Sequence, residues 1–501
     1  MILLPVTHDG AGIHTHFLGV FVHDHLLYIF PGQLPHLLLD QASKYQLSVG
    51  ILEKYNDVAN GATKANSAIL HAGYDPHPGT DMARLNTLGI KLAKEICEKL
   101  DVERREIPSF VLAFSEEEMK TVQTLYDRGV ANGVNVRILN GDEVRAIEPE
   151  ISKEVVGALY SEDSAIVDPW GYAIAMAEVA VTNGVVLHRE NKVRAIKKVG
   201  DIFRVSTNRD VYEARYIINA AGASAPMINE MVGDTTLQPR NLSGQYYVLD
   251  KSEGKRINSV IFCCPNKDGK GVLVSPTVHG NLIVGPDAFE VFDSETVATD
   301  AVTLPALKPK AHRSVPGINF REIIHEYAGV RPNTQFDAFY IKELETCPRF
   351  IALAGIKSPG LSAAPAIALD AIKLLKKAGL NMTKKVNYVD SRRVVRFRKM
   401  NDEQRRALIA RNPLYGRIIC RCESVTEGEI VDAINRPIVP FSIDAIKRRC
   451  NTGMGRCQGG FCGPRVHEIL ARELGMSPLD ILMDENKTFI LTGRTKEDNK
   501  K

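Results

Sequence analysis

The sequence has little net charge, no uninterrupted apolar run long enough to span a bilayer, and no repeat of fixed period. Lysine and arginine number 63 against 60 aspartate and glutamate, leaving +3. So small an excess argues against nucleic acid or an anionic membrane surface as a partner. The longest apolar candidate near the start, FLGVFVHDHLLYIF, is broken by His23, Asp24 and His25. Neither a spanning helix nor a secretory signal is expected there. No integral membrane segment is expected, and the default compartment is the cytoplasm. What remains is an average soluble composition, 44% hydrophobic and 25% charged, over 501 residues. That length predicts two or three domains.

Strand-like and helix-like stretches alternate along most of the chain. LSVGILEKYNDVANG (48–61) reads as a buried strand ending in an acid and then a glycine-bearing loop. A helix is expected from about Asp81, and another through AIAMAEVAVTNG. Short strands and turns dominate residues 245–351, and strand, loop and helix return at FIALAGIKSPGLSAAPAIALDAIKLL. The expected fold class is α/β with a β-rich substrate part, roughly 240–345, inserted in a body spanning 41–385. Residues 386–415 read as a basic, solvated linker, 416–480 as a small domain, and 481–501 as a tail.

Nine cysteines are unevenly placed, with five between Cys420 and Cys462. Cys420 and Cys422 form C-x-C, and Cys457 and Cys462 form C-x4-C. Four thiolates on two tight loops are what a [2Fe–2S] cluster requires. A structural zinc site and unrelated buried thiols are the alternatives on spacing alone. Thr426 and Glu429 make a capping box, Pro464 suits a helix start and Gly475 a helix end. Cys450 falls outside the ligand pattern.

Several stretches of the body have the chemistry of a dinucleotide site. Gly10 and Gly12 follow the apolar run Ile2–Val6, as in a phosphate-binding turn, but Thr15 stands where a third glycine belongs. Glu53, with Lys54 beside it, ends a strand where a carboxylate accepts hydrogen bonds from ribose hydroxyls. Thr63, Asn66 and Ser67 are candidates for pyrophosphate or ring contacts, and His71 for the reacting face. A structural histidine is the equal alternative for His71. Ala221 and Gly222 permit close backbone approach, and the Val193 backbone is placed to read an adenine. Gly355, Gly360, Leu361 and Ser362 form a loop and helix start whose N–H groups favour negative charge on a reduced ring.

Residues 40–380 resemble the FAD-dependent oxidoreductases of the D-amino-acid-oxidase and glycerol-3-phosphate-dehydrogenase superfamily. HAGYDPHPGT, YSEDSAIVDPWG, INAAG, KGVLVSPTVHGNLIVGP, AGVRP and AGIKSPGLSAAPA carry that resemblance. They fit the branch with anaerobic glycerol-3-phosphate and 2-hydroxyglutarate dehydrogenases. Residues 416–475 are similar to bacterioferritin-associated-ferredoxin-like [2Fe–2S] domains. The resemblance implies a glutathione-reductase-type FAD domain, and Cys420, Cys422, Cys457 and Cys462 as cluster ligands. It also implies hydride transfer from a substrate carbon to flavin N5, with electrons relayed through the cluster to an unidentified acceptor. Arg331 in AGVRP matches an arginine that contacts an anionic substrate group, phosphate or carboxylate alike. Tyr246 and Tyr247 are weaker pocket candidates. The loop KSPGLS (357–362) departs from the lysine–threonine pattern associated with aerobic glycerol-3-phosphate enzymes, which keeps a hydroxy-acid substrate open. A partner subunit fits the same scheme. The alternatives are an amine- or amino-acid-oxidising relative, and a non-catalytic iron–sulfur electron-transfer subunit with impaired FAD binding.

The second alternative arises from residues 1–40. Gly10 lies 43 positions before Glu53, whereas the ribose acid normally follows the glycines by roughly 20. Pro31 and Pro35 stand where a helix is expected. Six of 13 histidines also fall in the first 36 residues, so a metal-binding tract is a third option. Residues 1–40 therefore read as a disrupted or incorrectly translated first βα unit.

Overall fold

A computed structural model describes residues 26–30, 41–265 and 271–495. Its centre is a six-stranded sheet in the order 340–343, 350–354, 216–219, 26–30, 48–52, 186–188. All neighbours are parallel except the edge strand Tyr340–Glu343. Alternation along each strand divides the core. Leu27, Ile29, Ile51 and Ile218 pack with helices Asp81–Lys99 and Gly360–Lys377 on one face. Leu52, Ile217 and Phe350 pack with Phe203 and Val205 of a three-stranded antiparallel sheet on the other. The helices approach closely because Gly89 faces the Ser362 carbonyl, where an added Cβ would sit 2.1 Å from the oxygen.

The parallel sheet corrects the reading of the N-terminus. The strand between Ser48–Leu52 and Tyr216–Asn219 is Leu26–Phe30, with Ile29 opposite both Ile51 and Ile218. Among the described residues the first strand is Leu26–Phe30, which Gly10 and Gly12 precede in sequence. Both glycines, like the N-terminal histidines, lie outside the described residues. Phe30 to Glu53 is 23 positions, the spacing that a dinucleotide fold calls for.

The β-rich part is larger than the 240–345 insertion. Its nine-stranded sheet draws Ser109–Ala113, Val136–Asn140 and Gly157–Ser161 from the first half of the chain. These join strands between Leu242 and Arg331, with Val260–Cys263 running parallel to Ser109–Ala113.

The basic segment is not a solvated linker. Arg392 pairs with buried Glu178 at 2.5 Å, Arg396 with Asp101 at 2.7 Å, and Arg398 and Lys399 both with Glu103 at 2.5 Å. Phe397 is buried among Leu408 and Tyr415. These arginines have carboxylates waiting on the body, so the segment is pinned as a strap. The tail prediction also begins too early, because Ile481 is fully buried and Asp484 pairs with Arg448 at 3.2 Å.

The C-terminal module is three short helices, Glu427–Ile434, Ile443–Cys450 and Gly463–Leu474, around Ile430, Ile446, Val466 and Leu470. The Thr426–Glu429 capping box forms, Pro464 lies in the first turn of its helix, and Gly475 closes that helix in the left-handed region. Its docking onto the body is polar at the centre. Asp57, 1% exposed at its side chain, accepts two bonds from Arg449 (2.7 and 2.8 Å) and one from Arg448 (3.0 Å). Beside this clamp, Ile438 packs with Val58, Ala59, Ile174 and the single tryptophan, Trp170.

Candidate active site and iron–sulfur centre

A cleft of about 940 Å³ opens beyond the carboxyl end of the parallel strands. Glu53 and Lys54 line it behind Ser48–Leu52, and Ala221 and Gly222 behind Tyr216–Asn219. This is where open parallel sheets hold ligands. Asn60, Gly61, Lys64, Asn66 and Trp170 continue its wall. Met454, Gln458, Asp444, Lys447 and Asp484 close it from the module side. Gln458 is the neighbour of Cys457, so the cleft and the cysteine loops share a wall.

Glu53 decides what the cleft can take. It is buried, its Oε1 accepts the Tyr55 N–H at 2.9 Å, and the Lys54 N–H also donates to its carboxylate. Burial pushes its carboxyl up to about 8. Lys54 pulls on this acid from a distance, but no ion pair holds it among the described residues, so it fits two donor hydroxyls on one ligand, as on an adenosine ribose. The donor set therefore fits the nucleotide end of FAD.

A second cavity, of about 90 Å³, adjoins the first, with Ala62, Ala65, Asn66 and Val330 lining both. Thr63, Ser67, His71, Tyr246, Arg331, Lys357, Ser358, Gly360 and Leu361 face it. His71 is fixed at both ends. Its backbone N–H donates to the Ser362 hydroxyl at 2.7 Å, and its ring Nε2 lies 3.3 Å from Ser358 Oγ. Arg331 donates to the Asp287 carbonyl at 2.9 Å and meets no carboxylate within ion-pair distance among the described residues. Burial raises the Tyr246 hydroxyl, while the neighbouring Arg331 guanidinium pulls it the other way. Tyr246 also stacks on Tyr327, with centroids 4.8 Å apart.

Most of the candidates from sequence thus fall into the two adjoining cavities, with clear exceptions. Val193 is buried in the apolar cluster around Leu52 and Phe203 and does not line the cleft. Gly355 lies beside Thr334, behind the loop. Ser362 is wholly buried, and its hydroxyl holds His71. Tyr247 is overturned as a pocket residue. It follows Tyr246 in one strand, so it faces the opposite side, against Phe320 and the β-rich core. Lys357, Ser358 and Tyr327 were missed. Lys357 is the first residue of KSPGLS, and its place beside Arg331 depends on strands distant in sequence.

The four proposed cluster ligands come together as two pairs. Cys422 and Cys457 have sulfurs 3.7 Å apart, and the Cys420 thiol hydrogen-bonds with that of Cys462. Backbone N–H groups of Glu423 and Gly453 point at Cys420, and those of Gly459 and Phe461 at Cys457. Two thiolate pairs surrounded by donated N–H groups fit a two-iron cluster. Gly455 is required here, because an added Cβ would lie 2.2 Å from the Cys422 Cβ. Cys450 is the spare thiol, donating to the Ile446 carbonyl at 3.3 Å and pushed up to about 12 by burial.

Residues 37–374 match the FAD dependent oxidoreductase family, and residues 418–472 match the BFD-like [2Fe-2S] binding domain. The chain belongs to the FAD dependent oxidoreductase family, extended by an iron–sulfur domain. It is 46% identical to a glycerol 3-phosphate dehydrogenase of Caloramator mitchellensis over 460 residues, covering 91% of this chain and 96% of that one. It is 28% identical to an L-2-hydroxyglutarate dehydrogenase of Escherichia coli, over 49% of this chain and 59% of that one. Among solved structures, the reduced, FAD-bound L-alpha-glycerophosphate oxidase of Mycoplasma pneumoniae superposes with a TM-score of 0.70 at 32% identity. That match covers 73% of this chain and 97% of the oxidase. The protein is therefore an FAD-dependent oxidoreductase with a [2Fe–2S] domain. Among the described residues no helix is long and apolar enough to cross a membrane.

Proposed function

We propose that this chain oxidises glycerol 3-phosphate and relays the electrons through its [2Fe–2S] centre to a separate acceptor. The observation that carries this reading is the meeting of Arg331, Lys357, His71 and Tyr246 on one small cavity beside the cofactor cleft. Two cationic side chains match a phosphate dianion better than a single carboxylate. His71, oriented by Ser362 and Ser358, is the group placed to take the proton of the substrate hydroxyl. Arg331 anchors the anionic end, and Tyr246 fixes its orientation. Bound flavin supplies the hydride acceptor and gives up its electrons one at a time.

In the same reading Glu53 holds the ribose, with Lys54, Thr63, Asn66, Ser67, Ala221 and Gly222 along the cofactor. The helix start at Gly360, Leu361 and Ser362 faces the ring, with Gly355 shaping the loop before it. Cys420, Cys422, Cys457 and Cys462 ligate the cluster. Met454 and Gln458, shared between cleft and cysteine loop, support direct transfer between the two centres. Nine free thiols fit a reducing compartment, and the cytoplasm is the proposed location.

One observation favours a small 2-hydroxy acid as a second reading. Lys357 is paired with Asp337 at 2.5 Å, which leaves Arg331 as the uncommitted cation. Anaerobic titration of the purified holoprotein separates the two. Glycerol 3-phosphate is expected to bleach the flavin absorbance, and 2-hydroxyglutarate, lactate and a panel of amino acids are not. Bleaching by a hydroxy acid or an amino acid alone overturns the glycerol 3-phosphate assignment.

A further inference from the structure

Where the body, the strap and the iron–sulfur module meet, one imidazole touches all three. His279 follows strand Leu273–Pro276 of the β-rich sheet and lines the cofactor cleft. Its ring stacks on Trp170, with centroids 6.3 Å apart and planes within 3° of parallel. Trp170 in turn donates its indole N–H to the Lys64 carbonyl at 3.1 Å, on the loop that walls the cleft. His279 Nδ1 lies 3.4 Å from the Arg398 guanidinium of the strap and 3.4 Å from the Asn451 amide of the module. Arginine can only donate, so Nδ1 accepts and the neutral ring carries its proton on Nε2. That nitrogen is buried without a hydrogen-bond partner among the described residues.

Asn451 is what makes this contact matter to the cluster. It ends helix Ile443–Cys450 in the left-handed region, and its carbonyl accepts from the Met454 N–H at 3.3 Å. The turn so formed carries Gly453, whose N–H points at Cys420, and Met454, which lines the cofactor cleft. One side chain therefore ties the cleft-facing turn of the cysteine loops to His279. Burial holds the imidazole below its ordinary value of 6.5, against the pull of Asp168, Glu103 and Glu423 and with the help of Arg398. Glu103 is shared with Arg398 and Lys399, and Glu423 with Lys251. A protonated ring would turn N–H groups toward the donors Arg398 and Asn451. Its nearest acceptors are then Glu103, 3.6 Å from Nδ1, and Asp168, 4.0 Å from Nε2. Both acids belong to the body, so protonation releases the module.

We infer that His279 is a positioning residue for electron transfer between flavin and cluster, its neutral ring holding the Asn451–Met454 turn against the cofactor cleft. The inference rests on the relay proposed above. A turn that carries both a donor to a cluster sulfur and a wall of the cofactor cleft fixes how the two centres face each other. Supports of this kind set rate without touching the reacting atoms.

The test uses the holoprotein. Anaerobic rapid mixing with glycerol 3-phosphate reads flavin and cluster bleaching separately, and electron paramagnetic resonance of the chemically reduced cluster reads the ligand turn without turnover. In His279→Leu the cluster step is expected to slow about tenfold or more relative to the flavin step. His279→Asn sets an amide oxygen near the Nδ1 position and cannot titrate, so it is expected to recover most of that rate. In the parent the hold is whole above the ordinary value of 6.5 and is lost as pH falls below it, because only the neutral ring accepts. The cluster step is therefore expected to slow and the resonance to change between about pH 7.5 and 5.5, while both stay level in His279→Asn. Parallel pH profiles for the parent and His279→Asn overturn the inference, as does an unslowed cluster step in His279→Leu. If His279→Leu loses its cluster, the comparison of the parent with His279→Asn decides alone. Failure of glycerol 3-phosphate to bleach the cluster in the parent at any pH rejects the relay instead, and the resonance comparison still tests the hold on the turn.

Discussion

Two buried carboxylates, Glu53 and Asp57, sit four positions apart after the same strand and behave oppositely. Glu53 faces the cofactor cleft with no ion pair among the described residues, and burial outweighs the pull of Lys54 to push its carboxyl up to about 8. Asp57 faces the module, and two arginines hold its carboxyl down at about 2 despite complete burial. Burial is common to both, so the partner decides the outcome. Where the fold locks onto itself, the chain supplies its own counter-charge. Where it waits for a ligand, the charge is left unanswered. Arg331 belongs with Glu53 in this respect, and the strap arginines belong with Asp57.

The strongest way to break the locked side is to deny the cluster its space. Gly455→Ala puts a methyl group 2.2 Å from the Cys422 Cβ and 3.3 Å from its sulfur, so the ligand itself must move. The purified variant is expected to carry little iron where the parent carries about two per chain. Iron analysis and the visible spectrum check this. Full iron content in Gly455→Ala would show that the loop has slack the structure does not display.

Next in size is the clamp itself. Asp57→Asn leaves Arg449 buried without its counter-charge and Arg448 with Asp484 and Asp444 alone, at a cost of about 3 kcal/mol. Trp170, the only tryptophan, packs beside Ile438 of the module and reports undocking by fluorescence. The denaturant midpoint of that signal is expected to fall sharply. Asp57→Leu combined with Arg448→Met and Arg449→Met is expected to recover most of it. The sign with pH follows from the lowered carboxyl. The clamp's contribution is whole above the ordinary value of 3.8 and is lost as pH falls toward about 2. An unchanged midpoint in Asp57→Asn removes the clamp from the account.

On the waiting side, Arg331→Met takes away the uncommitted cation. A loss of about a hundredfold in kcat/KM is expected, the worth of a charge-assisted pair to an anionic substrate. Flavin and iron content are expected to stay level. Equal rates for the variant and the parent exclude Arg331 as the anchor.

What was legible in the sequence follows the same division. Helix starts and ends were readable because their chemistry is local, as in the start at Asp81, the Thr426 cap and Gly475. The C-x-C and C-x4-C spacings were readable for the same reason, whereas the sulfurs pair across them, Cys422 with Cys457 and Cys420 with Cys462. The clamp was not, since Asp57 and its arginines are 391 and 392 positions apart and no local pattern joins them. Lys357 escaped because only the sheet brings it beside Arg331. Tyr246 and Tyr247 are adjacent in sequence, and only strand alternation separates pocket from core. The glycines at 10 and 12 lie outside the described residues. The spacing back from Glu53 was the better guide, and it points to Phe30.

The smallest and most discriminating effect belongs to Glu53. If its raised carboxyl reflects a missing partner, cofactor hydroxyls should stabilise the ionised form and binding should release a proton. FAD affinity of the stripped protein is then expected to rise with pH below about 8, by at most tenfold per pH unit, and to level off above it. The sign is fixed by the raised value. Below about 8 the empty site holds the proton that binding must expel, and above it there is none to expel. Glu53→Gln cannot ionise, so it is expected to bind more weakly above pH 8 and to show no slope from this group. Fluorescence titration of FAD at four or five pH values measures both chains under the same conditions. Parallel pH profiles for the parent and Glu53→Gln would assign the proton elsewhere and remove the contrast with Asp57.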